Sequence, residues 1–592
     1  MESMLFDTKN KSLGIAMSER LCVTNIKSEG LYKKIYLNNG KSFEVTSSTS
    51  LDIEDQITIS AKKIFAHCQN GVVEVYPHYE EKEIIVIGEK KLVFLIKEIT
   101  TDEELRLQKE LSALHYRNEI CFGKDVKLIL TLENEPLLPK VIGYIELNLA
   151  PITNRSRNIF LNGSYNDGYI HWSNWDFEAR GKYSKAIVTI SRVVVHPDFR
   201  GLGLSNMLLK HSFKFAATRW KCNGVKPVFI EIVAEMLKFV PFVTKAGMYY
   251  IGDTEGNLSR LKRDIKFYLN NRNLLKKNKD SSALIRLQFK YIRNIETVLK
   301  ENNLTPAELL NLIYSNHWEK TRDKLLKNLI RSSKPTFIAG LTDYSKLFIK
   351  RRLNELGIKE FNKKPTHASI GLWSPIEIKN ISMSFKFNKK DSNRTKLIKE
   401  IFGIKENSLE TKVLSDFSLK INPGEIILIT GQSGSGKTTL LNLISGKLNN
   451  KTGTIKLPLN FKPGFLQPLE DKKAIIDLIG KDAKEAVDLL SNCGLSEAYI
   501  YLKKFSELSN GQKYRAMLAK LLSMNVNVII ADEFLGALDF INSNIIARKI
   551  RKISKELGIT FIVASSNPEN FIDSLMPDKI IIKDLVLGCR FL

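Results

Sequence analysis

The stretch that decides the fold of this chain reads Gly431-Gln432-Ser433-Gly434-Ser435-Gly436-Lys437-Thr438-Thr439. It matches G-x-x-x-x-G-K-[ST], with an apolar run before it over 425–430 and a helical pattern after it over 439–444. Glycines let the backbone amides approach phosphate oxygens, and the helix start adds a positive end. In this motif the lysine reaches the outer phosphates and the hydroxyl holds Mg²⁺. The stretch therefore predicts a site for ATP and Mg²⁺.

The composition of the chain limits its class. Its 592 residues predict three or four domains, and a hydrophobic content of 43% is ordinary for soluble globular proteins. We expect a multidomain α/β fold. There is no apolar run long enough to suggest a membrane span, and the start of the chain is not a signal peptide. The cysteines are far apart and form no CxxC pair, which indicates reduced thiols rather than zinc or disulfides. We expect a cytoplasmic protein.

Net charge points to a class of partner. The formal charge is +26, which favours a polyanion, and we expect nucleic acid. The alternative is a chain rich in Lys, Ile and Asn through AT-rich coding, in which part of the excess charge has no function.

Changes in pattern along the chain predict four parts. Residues 1–85 alternate polar and apolar residues between turns, as in a small β-rich module. Residues 86–252 mix strand and helix patterns, and 371–592 contain the phosphate loop. Residues 253–370 have 25 Lys+Arg against 12 Asp+Glu and helical spacing, which predicts a basic helical connector. The connector is either a nucleic-acid clamp or a solvated scaffold, and a helix-turn-helix over 304–331 is a third option.

The capping chemistry of Thr305-Pro306-Ala307-Glu308 predicts a helix start inside this connector.

Four motifs follow the phosphate loop in a fixed order. They are Gly464-Phe465-Leu466-Gln467-Pro468, Leu508-Ser509-Asn510-Gly511-Gln512, Val528-Ile529-Ile530-Ala531-Asp532-Glu533 and Leu538-Asp539. This order resembles the Q-loop, signature, Walker B and D-loop of the ATP-binding cassette (ABC) ATPases. Phe385 stands early in the cassette, where the family has an aromatic residue on adenine.

The resemblance to ABC ATPases implies roles for individual residues. Lys437, Gln467 and Glu533 are expected in catalysis, with Glu533 orienting or deprotonating water. The metal ligands are expected to be Thr438, Gln467 and Asp532. The expected ATP-binding residues are Phe385, Gly431, Gln432, Ser433, Gly434, Ser435, Gly436, Lys437, Thr438, Thr439, Ser509, Gly511, Gln512, Asp539 and Ser566. Since the family's signature closes over the opposite subunit's nucleotide, the resemblance implies a homodimer through the cassettes or, as the alternative, a partner cassette on another chain.

The chain departs from the ABC pattern in two places. Ser566 stands where the family has a switch histidine, and a serine cannot hold the γ-phosphate as an imidazole does. This departure predicts slow turnover or a nucleotide-gated clamp. The interval between Lys437 and Ser509 is short for a transporter cassette, so a membrane partner is disfavoured.

A second glycine-containing turn lies in the middle of the chain. A strand pattern over 191–195 leads to Arg200-Gly201-Leu202-Gly203-Leu204-Ser205, and a helical pattern follows. The stretch resembles the acyl-CoA loop of GNAT acetyltransferases, and 241–248 resemble another segment of that family. The resemblance implies a GNAT fold with a mixed sheet that binds acetyl-CoA or another acyl-CoA. The implied acyl-CoA-binding residues are Val193, Val195, Arg200, Gly201, Leu202, Gly203, Leu204 and Ser205.

The sequence offers two candidates for each catalytic role in acyl transfer. Attack by an amine needs a base and a proton donor for the thiolate. His115 or Glu231 is the expected base, and Tyr116 or Tyr249 the expected acid. His115 has the alternative role of a helix cap, and Tyr249 that of a packing residue.

The order of the domains carries a further resemblance, over about 90–592. A GNAT domain followed by an ABC cassette resembles prokaryotic ABC-type ATPases fused to an acetyltransferase domain, related to phage Mom-like DNA-modification enzymes. His115-Tyr116 matches a His-Tyr pair of that group. The resemblance implies ATP-coupled acyl transfer to nucleic acid or to a protein associated with it. The alternatives are a nucleotide-switched clamp on nucleic acid or the ribosome that only senses acyl-CoA, and a transporter ATPase subunit.

Overall fold

The computed structural model describes residues 20–113, 123–254, 256, 266–267, 289–314, 333–359, 361, 373–386, 392–404, 410–448, 452–584 and 588–592. His115 and Tyr116 lie outside these ranges.

The first part of the chain is a six-stranded antiparallel sheet, as the alternating pattern predicts. Its strand order is β3-β2-β1-β4-β5-β6, and its apolar residues alternate onto one shared core. The strands are β1 (Arg20–Glu29), β2 (Tyr32–Leu37), β3 (Ser42–Thr46), β4 (Gln56–Ser60), β5 (Lys63–Cys68) and β6 (Gly71–Tyr76).

A mixed eight-stranded sheet forms the middle of the molecule. Its order is β7-β8-β9-β10-β13-β14-β16-β15, and β13 and β14 are its parallel neighbours. The elements are β7 (Glu80–Ile87), β8 (Lys90–Glu98), α1 (Asp102–Ala113), β9 (Asp125–Leu132), β10 (Val141–Leu149), α2 (Arg155–Leu161), β11 (Tyr165–Asn166), β12 (His171–Trp172), α3 (Phe177–Tyr183), β13 (Ile187–Val195), α4 (Leu204–Thr218), β14 (Phe229–Val233), β15 (Tyr249–Asp253), α5 (Phe289–Glu301), α6 (Pro306–Tyr314), β16 (Pro335–Gly340) and α7 (Asp343–Glu355).

This sheet corrects two predicted boundaries. Strand β7 pairs with β8 along its whole length, so the predicted boundary between 85 and 86 falls inside a strand. Strand β16 lies between β14 and β15, and α7 packs behind it, so this end of the predicted connector 253–370 belongs to the middle sheet. An apolar run as short as Pro335–Gly340 does not reveal its distant partners.

The helix start predicted at Thr305 is confirmed. The Thr305 hydroxyl donates to Glu308 Oε2 at 2.8 Å, and Glu308 N donates back to Thr305 Oγ1 at 3.3 Å. The helix-turn-helix prediction over 304–331 falls mostly outside the described residues.

The last part of the chain has two sheets. A three-stranded antiparallel sheet, β18-β17-β20, lies beside a six-stranded sheet, β21-β22-β23-β19-β24-β25, in which only β25 is antiparallel. The elements are β17 (Ile376–Lys386), α8 (Asn393–Ile401), β18 (Glu410–Ile421), β19 (Ile426–Thr430), α9 (Lys437–Ile444), β20 (Thr452–Lys456), β21 (Pro463–Phe465), α10 (Ile475–Leu478), α11 (Ala483–Asn492), α12 (Ala498–Tyr501), α13 (Asn510–Ser523), β22 (Val528–Ala531), α14 (Phe540–Leu557), β23 (Thr560–Ser565), α15 (Ile572–Leu575), β24 (Lys579–Asp584) and β25 (Gly588–Phe591).

Helix α14 joins the last part of the chain to the middle sheet. Ile541 and Ile545 are buried in the same hydrophobic core as Phe199 and Leu204, which belong to the middle part. At the other side of α14, Ile546 and Ile550 enter the core of the last part. Helix α14 therefore contributes buried side chains to the core of the middle part and to the core of the last part.

Within the described ranges, no helix is long and apolar enough to cross a membrane.

The position of β16 generates a stability prediction. Phe337 is fully buried in β16 and contacts the rings of Tyr250 and Phe361. Phe337→Ala should lower the free energy of unfolding by about 3–5 kcal/mol because it leaves a cavity in the sheet. Leu347→Ala, at an exposed leucine of α7, is the matched control and should change it by less than about 0.5 kcal/mol. Equal urea midpoints for the two variants would show that this segment is not part of the sheet.

Candidate functional site

The phosphate loop lies between the end of β19 and the start of α9. Gly434 and Gly436 have φ of +80° and +97°, a region that favours glycine. A side chain at Gly431 would collide with the carbonyl oxygen of Lys583. Lys437 Nζ donates to the carbonyls of Gly431 and Gln432, at 2.8 and 2.9 Å, so its ammonium is folded back over the loop. The ammonium of Lys437 and the start of α9 therefore lie at the same glycine-rich loop.

A hydroxyl and a carboxylate meet beside the loop. The Thr438 hydroxyl donates to Asp532 Oδ2 at 2.6 Å, and both residues are exposed. Asp532 follows β22, which is two strands from β19 in a parallel sheet, so both groups lie at the carboxyl edge. Hydroxyl and carboxylate oxygens are the ligands that Mg²⁺ takes at a nucleotide site. The donor set fits the predicted metal.

Glu533 is held in a sharp turn after Asp532. It has φ of +45°, in the left-handed region that is rare outside glycine. The Tyr514 hydroxyl, from α13, accepts from Leu535 N at 2.9 Å and donates to the Glu533 carbonyl at 3.3 Å. The side chain of Glu533 is exposed, and the residue directly follows Asp532, a predicted metal ligand. Tyr514 thus ties the turn that carries the predicted base to helix α13.

The predicted signature and D-loop residues are both helix caps. Ser509 caps α13, in a reciprocal capping box with Gln512. Asp539 caps α14 by accepting from Asn542 N at 2.9 Å. Gly511 is buried against Asn542, whose Oδ1 also accepts from Arg515 Nη2 at 3.2 Å. The first turns of α13 and α14 therefore contact each other through Asn542.

Three other predicted ATP-site residues are exposed. Gln467 follows β21, Phe385 lies near the end of β17 with 39% exposure, and Ser566 follows β23. Parallel pairing places Gln467 and Ser566 beyond the carboxyl ends of their strands, the same edge as the phosphate loop and Asp532.

The predicted acyl-CoA loop joins β13 to α4. Strand β13 pairs with β14 only from Ile187 to Ile190, although β13 continues to Val195. Its last residues therefore border an opening between the two strands. Gly203 caps α4 with φ of +83°, and Gly201 and Gly203 are both exposed. The unpaired end of β13 is thus followed by two exposed glycines and the start of a 15-residue helix.

Arg200, a predicted acyl-CoA-binding residue, has partners within the protein. Its Nε donates to the Val195 carbonyl at 3.0 Å, and its guanidinium forms an ion pair with Glu497, which precedes α12. Gly201 lies against α14, where a side chain would come within 2.8 Å of Ile545 Cγ2. The expectation that Arg200 contributes to acyl-CoA binding stays a prediction, and in this arrangement its guanidinium is paired with an acidic residue more than 290 positions away.

Glu231 is also placed differently from the prediction. It has no exposed surface, and its Oε1 accepts from Arg157 Nη1 at 2.8 Å and from the Thr189 hydroxyl at 3.0 Å. A carboxylate in a buried ion pair cannot reach an acceptor amine, so the structure contradicts its role as base. Tyr249 is 39% exposed on β15, so it remains accessible as an acid. His115 and Tyr116 lie outside the described residues.

One buried acidic residue of the middle sheet was not found from the sequence. Glu146 on β10 faces Arg192 across a register shift, where Ser191 is the extra residue of β13. Arg192 Nη1 lies 3.7 Å from Glu146 Oε2, and the Asn148 amide donates to the Ser191 hydroxyl at 2.6 Å. Bulges of this kind often re-aim side chains next to active sites. Alternating polar residues in the pattern of β10 are the signal that could have indicated it.

Comparisons with known proteins concern the last part of the chain. The family model described as "ABC transporter" matches residues 414–536. The chain is 31% identical over 223 residues to the ABC transporter ATP-binding protein YtrE of Bacillus subtilis (strain 168). The match covers 33% of this chain and 89% of YtrE. It is 33% identical over 189 residues to the lipoprotein-releasing system ATP-binding protein LolD 2 of Chlorobium chlorochromatii (strain CaD3), which is 26% of this chain and 78% of that protein.

Other relatives match over a smaller share of their length. The chain spans 55% of the spermidine/putrescine import ATP-binding protein PotA of Borrelia garinii subsp. bavariensis, at 32% identity over 197 residues. Among solved structures, the dimeric structure of the bacterial ABC transporter cassette MJ0796 covers 37% of this chain and 98% of its own, with 24% identity and a TM-score of 0.29.

The buried ion pair of Glu231 with Arg157 generates a prediction about the stability of the protein. Glu231→Gln should lower the free energy of unfolding by about 3–5 kcal/mol, because it leaves Arg157 as an unpaired buried charge. Glu178→Gln, at an exposed residue of α3, is the control and should have no such effect. Wild-type stability of the Glu231 variant in urea would show that the ion pair is not structural.

Ser566 generates a prediction about ATP turnover. Ser566→His should raise the rate of ATP hydrolysis by about 10²-fold, since the imidazole adds a donor where charge develops on the γ-phosphate. Ser566→Phe adds bulk without a donor and is the control. Steady-state phosphate release measures both, and an unchanged rate in the histidine variant would show that turnover is limited elsewhere.

Proposed function

The chain belongs to the ABC family through its C-terminal cassette, and we propose that this ATPase is coupled to an acyl-CoA-dependent GNAT acyltransferase built on the middle sheet. The observation that carries the coupling is the position of α14. This helix starts at Asp539, at the predicted D-loop, and buries Ile541 and Ile545 in the core that holds the acyl-CoA loop.

The topology of the middle sheet supports the GNAT assignment. Antiparallel strands β8, β9, β10 and β13 are followed by the parallel strand β14, and the sheet ends with β16 inserted between β14 and β15. The parallel pair separates after Ile190, as a strand edge must in order to receive an extended ligand. The glycine loop and α4 begin at the same opening.

The ATPase chemistry follows from the residues at the edge of the cassette sheet. Thr438 and Asp532 would hold Mg²⁺, which when bound supplies charge neutralisation on the phosphates. Lys437 provides a cation for the outer phosphate oxygens. Glu533 is exposed beside these ligands, so its carboxylate can orient or deprotonate the attacking water. Ser566 adds no imidazole, so we expect slow hydrolysis.

The proposed assembly is a homodimer through the cassettes. The chain has one phosphate loop and one signature sequence, and in the ABC pattern the signature of one subunit closes over the nucleotide of the other. Ser509 and Asp539 start the two helices that would face the second nucleotide. Because α13 and α14 also contact the middle part, closure of the dimer would act on the acyl-CoA loop.

The acyl acceptor is proposed to be an amine of nucleic acid or of an associated protein. A net charge of +26 favours a polyanionic partner. In the proposed reaction the amine nitrogen attacks the thioester carbonyl, the C–S bond breaks, and the amine proton finally reaches the CoA thiolate. Among the described residues, Tyr249 is accessible and suited to donate a proton to that thiolate.

The second candidate is a nucleotide-switched clamp on nucleic acid or the ribosome with a sensory acyl-CoA site. Ser566 favours it, since slow hydrolysis suits a switch better than a motor. Such a clamp differs from the acyltransferase in that it binds acyl-CoA and ATP but transfers no acyl group.

A transfer assay tests the proposed function. Labelled acetyl-CoA is offered with DNA, tRNA, rRNA and cell-extract protein, with and without ATP, and products are resolved by mass. We expect an ATP-dependent mass increase on one acceptor. The Glu533→Gln chain should retain ATP binding and lose hydrolysis by at least about 10²-fold. No transfer to any acceptor, despite binding of acetyl-CoA and ATP, would contradict the enzyme and favour the clamp.

A further inference from the structure

The direction of the Val195 carbonyl can be read from the pairing of β13. Val195 lies opposite Gly143 in β10, and His196 N donates to the Ile142 carbonyl at 2.8 Å. In an antiparallel ladder this pattern makes Val195 and Gly143 a non-hydrogen-bonded pair. The backbone groups of Val195 therefore point away from β10, towards the opening that β14 leaves. Arg200 Nε occupies that carbonyl at 3.0 Å.

The other end of Arg200 belongs to the cassette. Glu497 stands just before α12 and forms the ion pair with the guanidinium of Arg200. Both side chains are mostly buried, with 19% and 15% exposure, so solvent screens the pair less than it would at the surface. Next to it, Arg515 Nη1 donates to the Pro197 carbonyl at 3.3 Å. The cassette thus holds the loop at both Pro197 and Arg200.

We infer that Glu497 is a positioning residue of the acyl-CoA site, holding Arg200 against the Val195 carbonyl so that the ion pair and acyl-CoA compete. This inference rests on the proposed acyl-CoA site. Glu497, a residue of the ATPase cassette, thereby lowers the affinity for acyl-CoA of a site on the middle sheet.

Two physical reasons make the ion pair and the ligand exclusive. An extended amide-bearing ligand gains affinity by pairing with a free strand edge, and the Val195 carbonyl is the acceptor that Arg200 already uses. A guanidinium engaged by a carboxylate also has fewer N–H groups for a pyrophosphate. Release of Arg200 from Glu497 therefore frees an acceptor for the ligand's amide and a donor for its phosphates.

Isothermal titration of acetyl-CoA into the full chain tests the inference. Glu497→Gln keeps the shape of the side chain and removes its charge. Glu556→Gln is the matched control, since Glu556 is an exposed residue of α14 in a surface ion pair with Lys552. We expect Glu497→Gln to bind acetyl-CoA at least about fivefold more tightly than wild type, the lower end of usual coupling between sites. The Glu556 variant should match wild type.

Each outcome of the titration decides one point. Tighter binding in Glu497→Gln, including binding where wild type shows none, supports the inference, provided that both chains bind ATP equally and are therefore folded alike. Equal acetyl-CoA affinity in wild type and Glu497→Gln overturns the inference and leaves the proposed acyl-CoA site standing. No acetyl-CoA binding by any of the three chains overturns the acyl-CoA site and the inference with it.

Discussion

The structure depends on one helix that is buried on two sides. Helix α14 places Ile541 and Ile545 in the core of the middle sheet and Ile546 and Ile550 in the core of the cassette. Removing such side chains from water is worth roughly 1.5–3 kcal/mol each, so separating the two parts would expose a costly apolar surface. Because the helix also begins at Asp539, the ATP site and the middle sheet share a rigid element.

This arrangement explains why the contacts around the predicted acyl-CoA loop come from the cassette. Arg515 and Glu497 both lie in the helical layer of the cassette, and both reach the turn between β13 and α4. Burial lowers the pKa of the Arg515 guanidinium to about 10, which still leaves it charged at neutral pH. Its hydrogen bonds to Pro197 and Asn542 therefore persist under physiological conditions.

The parts that could be predicted from the sequence are those with local chemistry. The phosphate loop needs its glycines and lysine at fixed spacing, and the capping box at Thr305 lies within four residues, so both are readable from neighbours alone. The comparisons confirm the ABC cassette that those motifs predicted. The site residues themselves and the GNAT domain remain predictions, although the strand order of the middle sheet agrees with the latter.

The features that the sequence did not reveal share a cause, which is dependence on distant partners. Strand β16 joins its sheet after a long insertion, Glu231 meets Arg157 across 74 positions, and Arg200 meets Glu497 from another domain. A single sequence carries no periodicity that reports such pairs. Arg200 is the clearest case, because none of the residues near it in the sequence indicates that its charge is paired with Glu497.

Hydrogen exchange of the full Glu533→Gln chain, with and without Mg-ATP, tests the central claim that the cassette and the acyl-CoA loop move as one unit. Nucleotide binding should rigidify α13 and α14, and the loop they hold should follow. We predict slower amide exchange both in 508–517 and in 198–206. Slower exchange confined to the cassette, with 198–206 unchanged, would contradict the claim.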